Sequence, residues 1–200
     1  AGMLGKVGMS SAGFGVAFNY LYPNAPLGGV PIHALLRALL EASSFEEAKK
    51  LLSSGEHVGT SGNILLADKN GQAIDYELSG SHTSPIPMTG SAIVHTNHYL
   101  GGTENNSSAG QGFLTNSYER YAHAEALLTE TTVQNLERAK ALLTDREAGN
   151  GMLCRDFIPE EPGHTPTGTI ASMVMDLPNQ TMHIALDPQK TGSDFKIYTL

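Results

Sequence analysis

The chain has 200 residues, 40% of them hydrophobic, with 22 glycines and one cysteine. This is the composition of a turn-rich globular domain, and the lone cysteine excludes an internal disulfide. A formal net charge of −8 argues against nucleic acid, which needs clustered lysine and arginine, and no apolar run approaches the ~20 residues of a membrane span.

Residues 6–10 and 13–19 predict a hairpin. Gly13 and Gly15 permit a tight turn and a close backbone approach, and Phe14, Val16 and Phe18 alternate as one face of a strand. Asn19 ends that strand with a short, non-titrating amide. Residues 31–42 predict a helix with Ile32, Leu35, Leu36, Leu39 and Leu40 on one face and Pro31 in its first turn. A second helix over 45–54 follows Ser44, which with Glu47 makes a capping box; Gly55 is expected to stop it. Residues 62–68 and 72–78 flank Lys69-Asn70-Gly71, a strong hairpin signal. Residues 90–97 predict another strand, opening onto His95-Thr96-Asn97-His98-Tyr99, an amide between two imidazoles. The glycine- and asparagine-rich stretch 100–113 reads either as a flap over a site or as a solvated loop.

Residues 117–129 predict a helix with Tyr118, Tyr121, Ala122 and Leu128 on its apolar face, interrupted by Glu125. Residues 132–144 predict another, after a threonine cap, carrying Val133, Leu136, Ala139 and Leu142 or Leu143. A last hairpin is expected over 168–177 and 181–187 around Pro178-Asn179-Gln180, with an edge strand at Lys196–Thr199. Strands, two helices, strands, two helices, strands is not a βαβ alternation. The order argues against a doubly wound sheet and for an α+β arrangement of antiparallel hairpins.

Several segments recur in one order and spacing: Ala1-Gly2-Met3-Leu4-Gly5-Lys6-Val7-Gly8, Ser11-Ala12-Gly13, Gly29-Val30-Pro31-Ile32-His33, Leu65-Leu66-Ala67-Asp68, His95-Thr96-Asn97-His98-Tyr99, Ser117-Tyr118-Glu119-Arg120-Tyr121 and Leu153-Cys154-Arg155. On these the chain resembles the penicillin acyltransferase family, cysteine-nucleophile N-terminal-nucleophile (Ntn) hydrolases related to the choloylglycine hydrolases. The resemblance implies an αββα four-layer sandwich, incomplete here, with residues 1–200 forming the C-terminal major part of one domain. In the family the nucleophilic cysteine and the first strands lie upstream of the matched region. The chain begins at Ala1 without an initiator methionine or a signal-peptide pattern, so it reads as a piece of a longer product. The missing N-terminal segment of the same precursor, carrying the cysteine, is then the expected partner. Unpaired strand edges left by its absence predict self-association, as aggregate or homo-oligomer.

The activity implied is amide C–N hydrolysis or N-acyl transfer through a cysteine acyl-enzyme, on a small-molecule amide or acyl-CoA-like substrate and without a cofactor. By the resemblance Asn97 is the oxyanion-hole asparagine, Asn19 a second amide facing the nucleophile, and Arg120 an arginine that organises the catalytic cluster. Tyr20, His98 and Tyr99 are expected to line the substrate pocket. Each has a structural alternative: both asparagines suit turns that bond their own backbone, and Arg120 suits a solvated helix face. Positions 95 and 98 point to opposite faces of a strand, so no metal site is expected. Cys154, mid-chain and without a free α-amine, reads as structural. Ser10 stands where the family often has asparagine, and Pro166 or Thr167 where the fungal penicillin enzyme has a functional arginine. These departures put penicillin-type substrates in doubt and keep a non-catalytic binding protein of the same fold as the alternative. The compartment stays open, with the cytoplasm expected ahead of secretion.

Overall fold

The computed structural model describes residues 4–22, 28–54, 61–80, 82–88, 90–101, 116–129, 135–149, 152–157 and 167–200. The chain divides into two units, residues 1–117 with 177–180, and residues 118–176 with 181–200.

In the first unit the glycine-studded opening folds as expected. Strands β1 (Gly8–Ser10) and β2 (Phe14–Tyr20) pair antiparallel. Gly13 turns between them at φ +87°, a conformation that disfavours side chains, and donates its N–H to the Ser10 carbonyl at 2.9 Å. Helices α1 (Ile32–Glu41) and α2 (Phe45–Ser53) follow, then β3 (Gly62–Asp68), β4 (Ala73–Ser79) and β5 (His82–Ile86). The Asn70-Gly71 turn joins β3 to β4, with Gly71 at φ +88°. The five strands form one antiparallel sheet in sequence order.

The period-two pattern gives that sheet two unlike faces. Phe14 and Val16 of β2, Ile64 and Leu66 of β3, and Tyr76 and Leu78 of β4 lie on one face. They pack against Leu35, Leu36 and Leu39 of α1 and Phe45, Ala48 and Leu52 of α2. Ser44 caps α2 by accepting from Glu47 N at 3.1 Å, but the Glu47 carboxylate reaches one residue further back than a capping box predicts, to Ser43 N at 2.8 Å. The opposite face carries Asn19, Asn63, Asp75 and Glu77.

One expectation for this unit is corrected. Among the described residues, 90–97 form no strand ladder; side chains take up backbone groups at 95–97 instead. Strand β5 was not expected from the sequence; it carries Pro85 and lies at the sheet edge, where a missing N–H is tolerated. Residues 102–113 of the expected flap, and Gly55, lie outside the described residues.

The second unit holds α3 (Ser117–Thr129, entering from the end of the first), α4 (Leu136–Leu143), β6 (Ala171–Asp176), β7 (Thr181–Leu186), a short α5 (Pro188–Thr191) and β8 (Lys196–Thr199). Strands β6, β7 and β8 make an antiparallel sheet, with β8 the expected edge. The cap of α4 is Asn135, not a threonine: its side chain accepts from Arg138 N at 2.9 Å and its backbone is extended, so the helix starts later than expected. The buried side of α3 is also corrected. Tyr118 is exposed and Ala124 is buried; a small residue and the half-buried Arg120 supply a face that the aromatic pattern had placed elsewhere. Among the described residues no helix is long and apolar enough to cross a membrane.

Leu36 is fully buried at the seam between α1 and the sheet. Leu36→Ala is expected to lower the unfolding free energy by about 2–5 kcal/mol, read by urea denaturation. A loss below about 1 kcal/mol would mean that the seam relaxes around the cavity.

Candidate active site

The polar face of the first sheet is buried: Asp75 is 0%, Asn63 1% and Glu77 3% exposed. Strand register sets Asn19 opposite Asn63, and Asn63 opposite Glu77. Asn63 Nδ2 donates to Asp75 Oδ1, the diagonal neighbour, and to the Tyr76 carbonyl at 3.4 Å. This orients the Asn63 amide, leaving its Oδ1 to accept from Asn19 Nδ2 at 3.1 Å. Asn19 Nδ2 also donates to the His95 carbonyl at 3.2 Å.

The segment from His95 onward is thereby tied to the end of β2, and the tie is reciprocal. Asn97 Nδ2 donates to the Tyr20 carbonyl at 3.0 Å, while the Asn97 backbone N–H donates to Ser117 Oγ at 2.8 Å. Thr96 Oγ1 donates to the Ser117 carbonyl at 3.0 Å, and His98 Nδ1 lies 2.8 Å from Ser117 Oγ. His95 is held as firmly: its Nε2 is 2.9 Å from Glu77 Oε1 and its Nδ1 2.9 Å from the Thr96 carbonyl. Both neighbours are oxygens, so the ring is fixed at its two nitrogens.

The structure therefore brings Asn19, Tyr20, Asn97 and His98 into one cluster at the end of β2. Both N–H bonds of the Asn19 amide are committed within the protein, so Asn19 is placed as a brace of the 95–97 segment. Tyr99 is buried with its hydroxyl donating to the Leu78 carbonyl at 3.2 Å, a packing position. Burial, with Tyr22 nearby, raises the Tyr20 phenol above its ordinary value.

Arg120 stands on α3 in the second unit. Burial, reinforced by repulsion from Arg155, brings its guanidinium down to about 10. Arg155 in turn reaches Thr167 Oγ1 at 3.3 Å; Pro166 lies outside the described residues. The Cys154 thiol is fully buried and its pKa is raised by burial, the setting of an inert cysteine. Among the described residues no group of three histidine, cysteine or carboxylate side chains is placed to hold a metal ion.

Residues 1–191 match the sequence profile of the acyl-coenzyme A:6-aminopenicillanic acid acyl-transferase family. The chain belongs to this family. It is 34% identical over 187 residues to the 40 kDa form of acyl-coenzyme A:6-aminopenicillanic-acid-acyltransferase of Emericella nidulans, covering 88% of this chain and 48% of the relative. The chain thus spans about half the length of that relative. Its fold is similar to that of the conjugated bile acid hydrolase of Clostridium perfringens (TM-score 0.59, 13% identity, 97% of this chain and 72% of the other). It is also similar to penicillin V acylase of Agrobacterium tumefaciens (TM-score 0.52, 16% identity, 90% and 62%). Mixed α+β structure with antiparallel sheets, shared with these neighbours, is the Ntn-hydrolase fold.

Sequence reasoning missed four residues of this cluster. Asp75 and Glu77 alternate with Ile74, Tyr76 and Leu78, a pattern that normally marks a solvated strand face; here the face is buried. Asn63 carried no signal beyond its polarity at the edge of an apolar run, and Ser117 stood in a segment of the resemblance with no role assigned to it. The Asp75 carboxyl is raised above its ordinary value mainly by burial, and Glu77 adds a like charge; His95 and the Asn63 bond pull the other way without cancelling. Asp75 Oδ2 has no hydrogen-bond partner among the described residues.

The folded state therefore holds the Asp75 proton to higher pH than the unfolded chain does. Its contribution to stability is present at low pH and is lost as pH rises above 3.8 through the raised folded value. Asp75→Asn keeps an acceptor for Asn63 and removes the charge. Its stability relative to wild type is expected to grow with pH over that window and then level off, measured by urea unfolding at a series of pH values. A difference independent of pH would contradict the assignment.

Proposed function

We propose that the protein is an amide C–N hydrolase or N-acyltransferase acting through a cysteine acyl-enzyme, the cysteine lying in a segment upstream of this chain. The single observation that carries the proposal is the reciprocal lock between the end of β2 and the 95–98 segment, which fixes the Asn97 carboxamide on the Tyr20 carbonyl. The names of the family relative, an acyl-coenzyme A:6-aminopenicillanic-acid-acyltransferase, and of two structural neighbours, a conjugated bile acid hydrolase and a penicillin V acylase, support a small-molecule acyl substrate.

In this reading the thiolate adds to the substrate carbonyl carbon, and the π electrons move to oxygen. Asn97 stabilises that oxyanion: an amide donor carries a fixed dipole, needs no reorganisation as charge develops and does not titrate. Collapse of the intermediate expels the amine, which takes the proton originally on the thiol, relayed by the nucleophile's α-amino group. Water or an acceptor amine then attacks the thioester and releases the cysteine. Asn19 holds the His95 carbonyl and so sets where Asn97 stands. His98 and Tyr20 flank the substrate. Arg120 keeps its organising role on the family pattern alone.

Loss of one oxyanion donor typically costs roughly 10²–10³ in turnover. Asn97→Ala in the full-length protein is expected to lose at least roughly a hundredfold in kcat, with penicillin V hydrolysis and acyl transfer from an acyl-coenzyme A to 6-aminopenicillanic acid as the assays. Mass spectrometry of the same preparation is expected to find an N-terminal cysteine on the accompanying segment. An unchanged rate removes Asn97 from the role. Binding of both compounds without turnover replaces the enzyme with the binding-protein alternative.

A further inference from the structure

We propose that Glu77 is the positioning residue of this site: one buried carboxylate clamps both ends of the 95–101 segment and thereby sets the geometry of Asn97. The inference rests on the reading of Asn97 as the oxyanion donor and deepens it.

Three donors converge on the Glu77 side chain. Oε1 accepts from His95 Nε2 at 2.9 Å and from the backbone N–H of Leu100; Oε2 accepts from the backbone N–H of Gly101 at 3.1 Å. The donors come from the first and the last two residues of the segment, and Asn97 and His98 lie between them. A Cβ at position 101 would stand 3.3 Å from Glu77 Oε2 and 3.0 Å from Ile86 Cδ1, so the missing side chain lets the backbone close on the carboxylate. Among the described residues the segment joins no strand ladder. Side-chain bonds hold it, and three of them meet at the buried Glu77 carboxylate. Glu77 itself sits inside a paired strand, flanked by β3 and β5, so the clamp is anchored on a rigid element.

The groups that face this carboxylate are His95, Leu100 N–H and Gly101 N–H, with Asp75 two residues away on the same strand face. An acceptor-only group is required there. Glu77→Gln preserves volume but turns one acceptor oxygen into an N–H₂ donor set against a donor, which distinguishes hydrogen-bond polarity from packing.

The test is hydrogen–deuterium exchange of segment 95–101 in the full-length protein, together with steady-state hydrolysis of penicillin V. Glu77→Gln is expected to speed exchange of the Leu100 and Gly101 amides about tenfold or more, with the α1/α2 core unchanged. It is expected to lower kcat by roughly ten- to hundredfold with KM within about twofold, since misplaced oxyanion donors are felt in the transition state. Adding it to Asn97→Ala should cost little more than Asn97→Ala alone. If Glu77→Gln does not fold, His95→Ala tests the same clamp: exchange should rise at 95–97 while Leu100 and Gly101, still bonded to the carboxylate, stay protected.

Unchanged exchange in the folded variants overturns the clamp whatever the activity. Faster exchange with unchanged kcat, while Asn97→Ala is impaired, overturns Glu77 as a positioning residue. Faster exchange with Asn97→Ala fully active overturns the oxyanion reading and not the clamp.

Discussion

A buried polar group must find a partner, and that requirement shapes the first unit of this protein. Its five-stranded sheet is covered on both faces, but the faces make unlike demands. The apolar face, built from alternate residues of β2, β3 and β4, needs only complementary shape, and α1 and α2 supply it. The other face presents Asn19, Asn63, Asp75 and Glu77, which need donors and acceptors in fixed directions. Asp75 and Glu77 are acceptors, so each amide near them turns its nitrogen inward. The result is a directed chain of hydrogen bonds running from Asp75 through Asn63 and Asn19 to the His95 carbonyl.

That directionality explains why an irregular segment is well ordered. Among the described residues, 92–101 join no strand ladder, and ordering such a stretch costs chain entropy. Instead its carbonyls and N–H groups meet Asn19, Glu77 and Ser117 side chains, and the Thr96 hydroxyl donates to the Ser117 carbonyl. Two carboxylates on one buried face are a poor choice for stability alone, as the raised Asp75 shows. What they provide is a unique geometry at the end of β2, where the Asn97 and Asn19 amides and the two imidazoles converge. The cost is electrostatic and local, and the helix-backed apolar face of the same sheet offsets it.

The second unit follows the same chemistry with opposite charge. Burial lowers both Arg120 and Arg155, and the Arg155 charge disfavours protonation of Arg120 further. The family assignment rests on the whole matched length, whereas the structural neighbours, at low identity, establish the Ntn-hydrolase fold.

Local chemistry was readable from the residues themselves. Glycines at 13 and 71, Ser44 ahead of α2, and alternation in β2, β3 and β4 act over a few positions, so they carry their meaning wherever the chain goes. Asn19 and Asn97 were legible as an amide ending a strand and an amide between imidazoles. Strand β5, the Asn135 cap and the buried side of α3 were misread or missed, because edge position, helix start and burial are set by neighbours distant in sequence. Residues 90–97 look like a strand and are bonded by side chains for the same reason. The roles of Asn63, Asp75, Glu77 and Ser117 were decided by tertiary structure alone: a polar residue on an alternating strand reads as solvated until something covers it. The sequence determined which groups were available; only the covering of the polar face determined which had to bond to which.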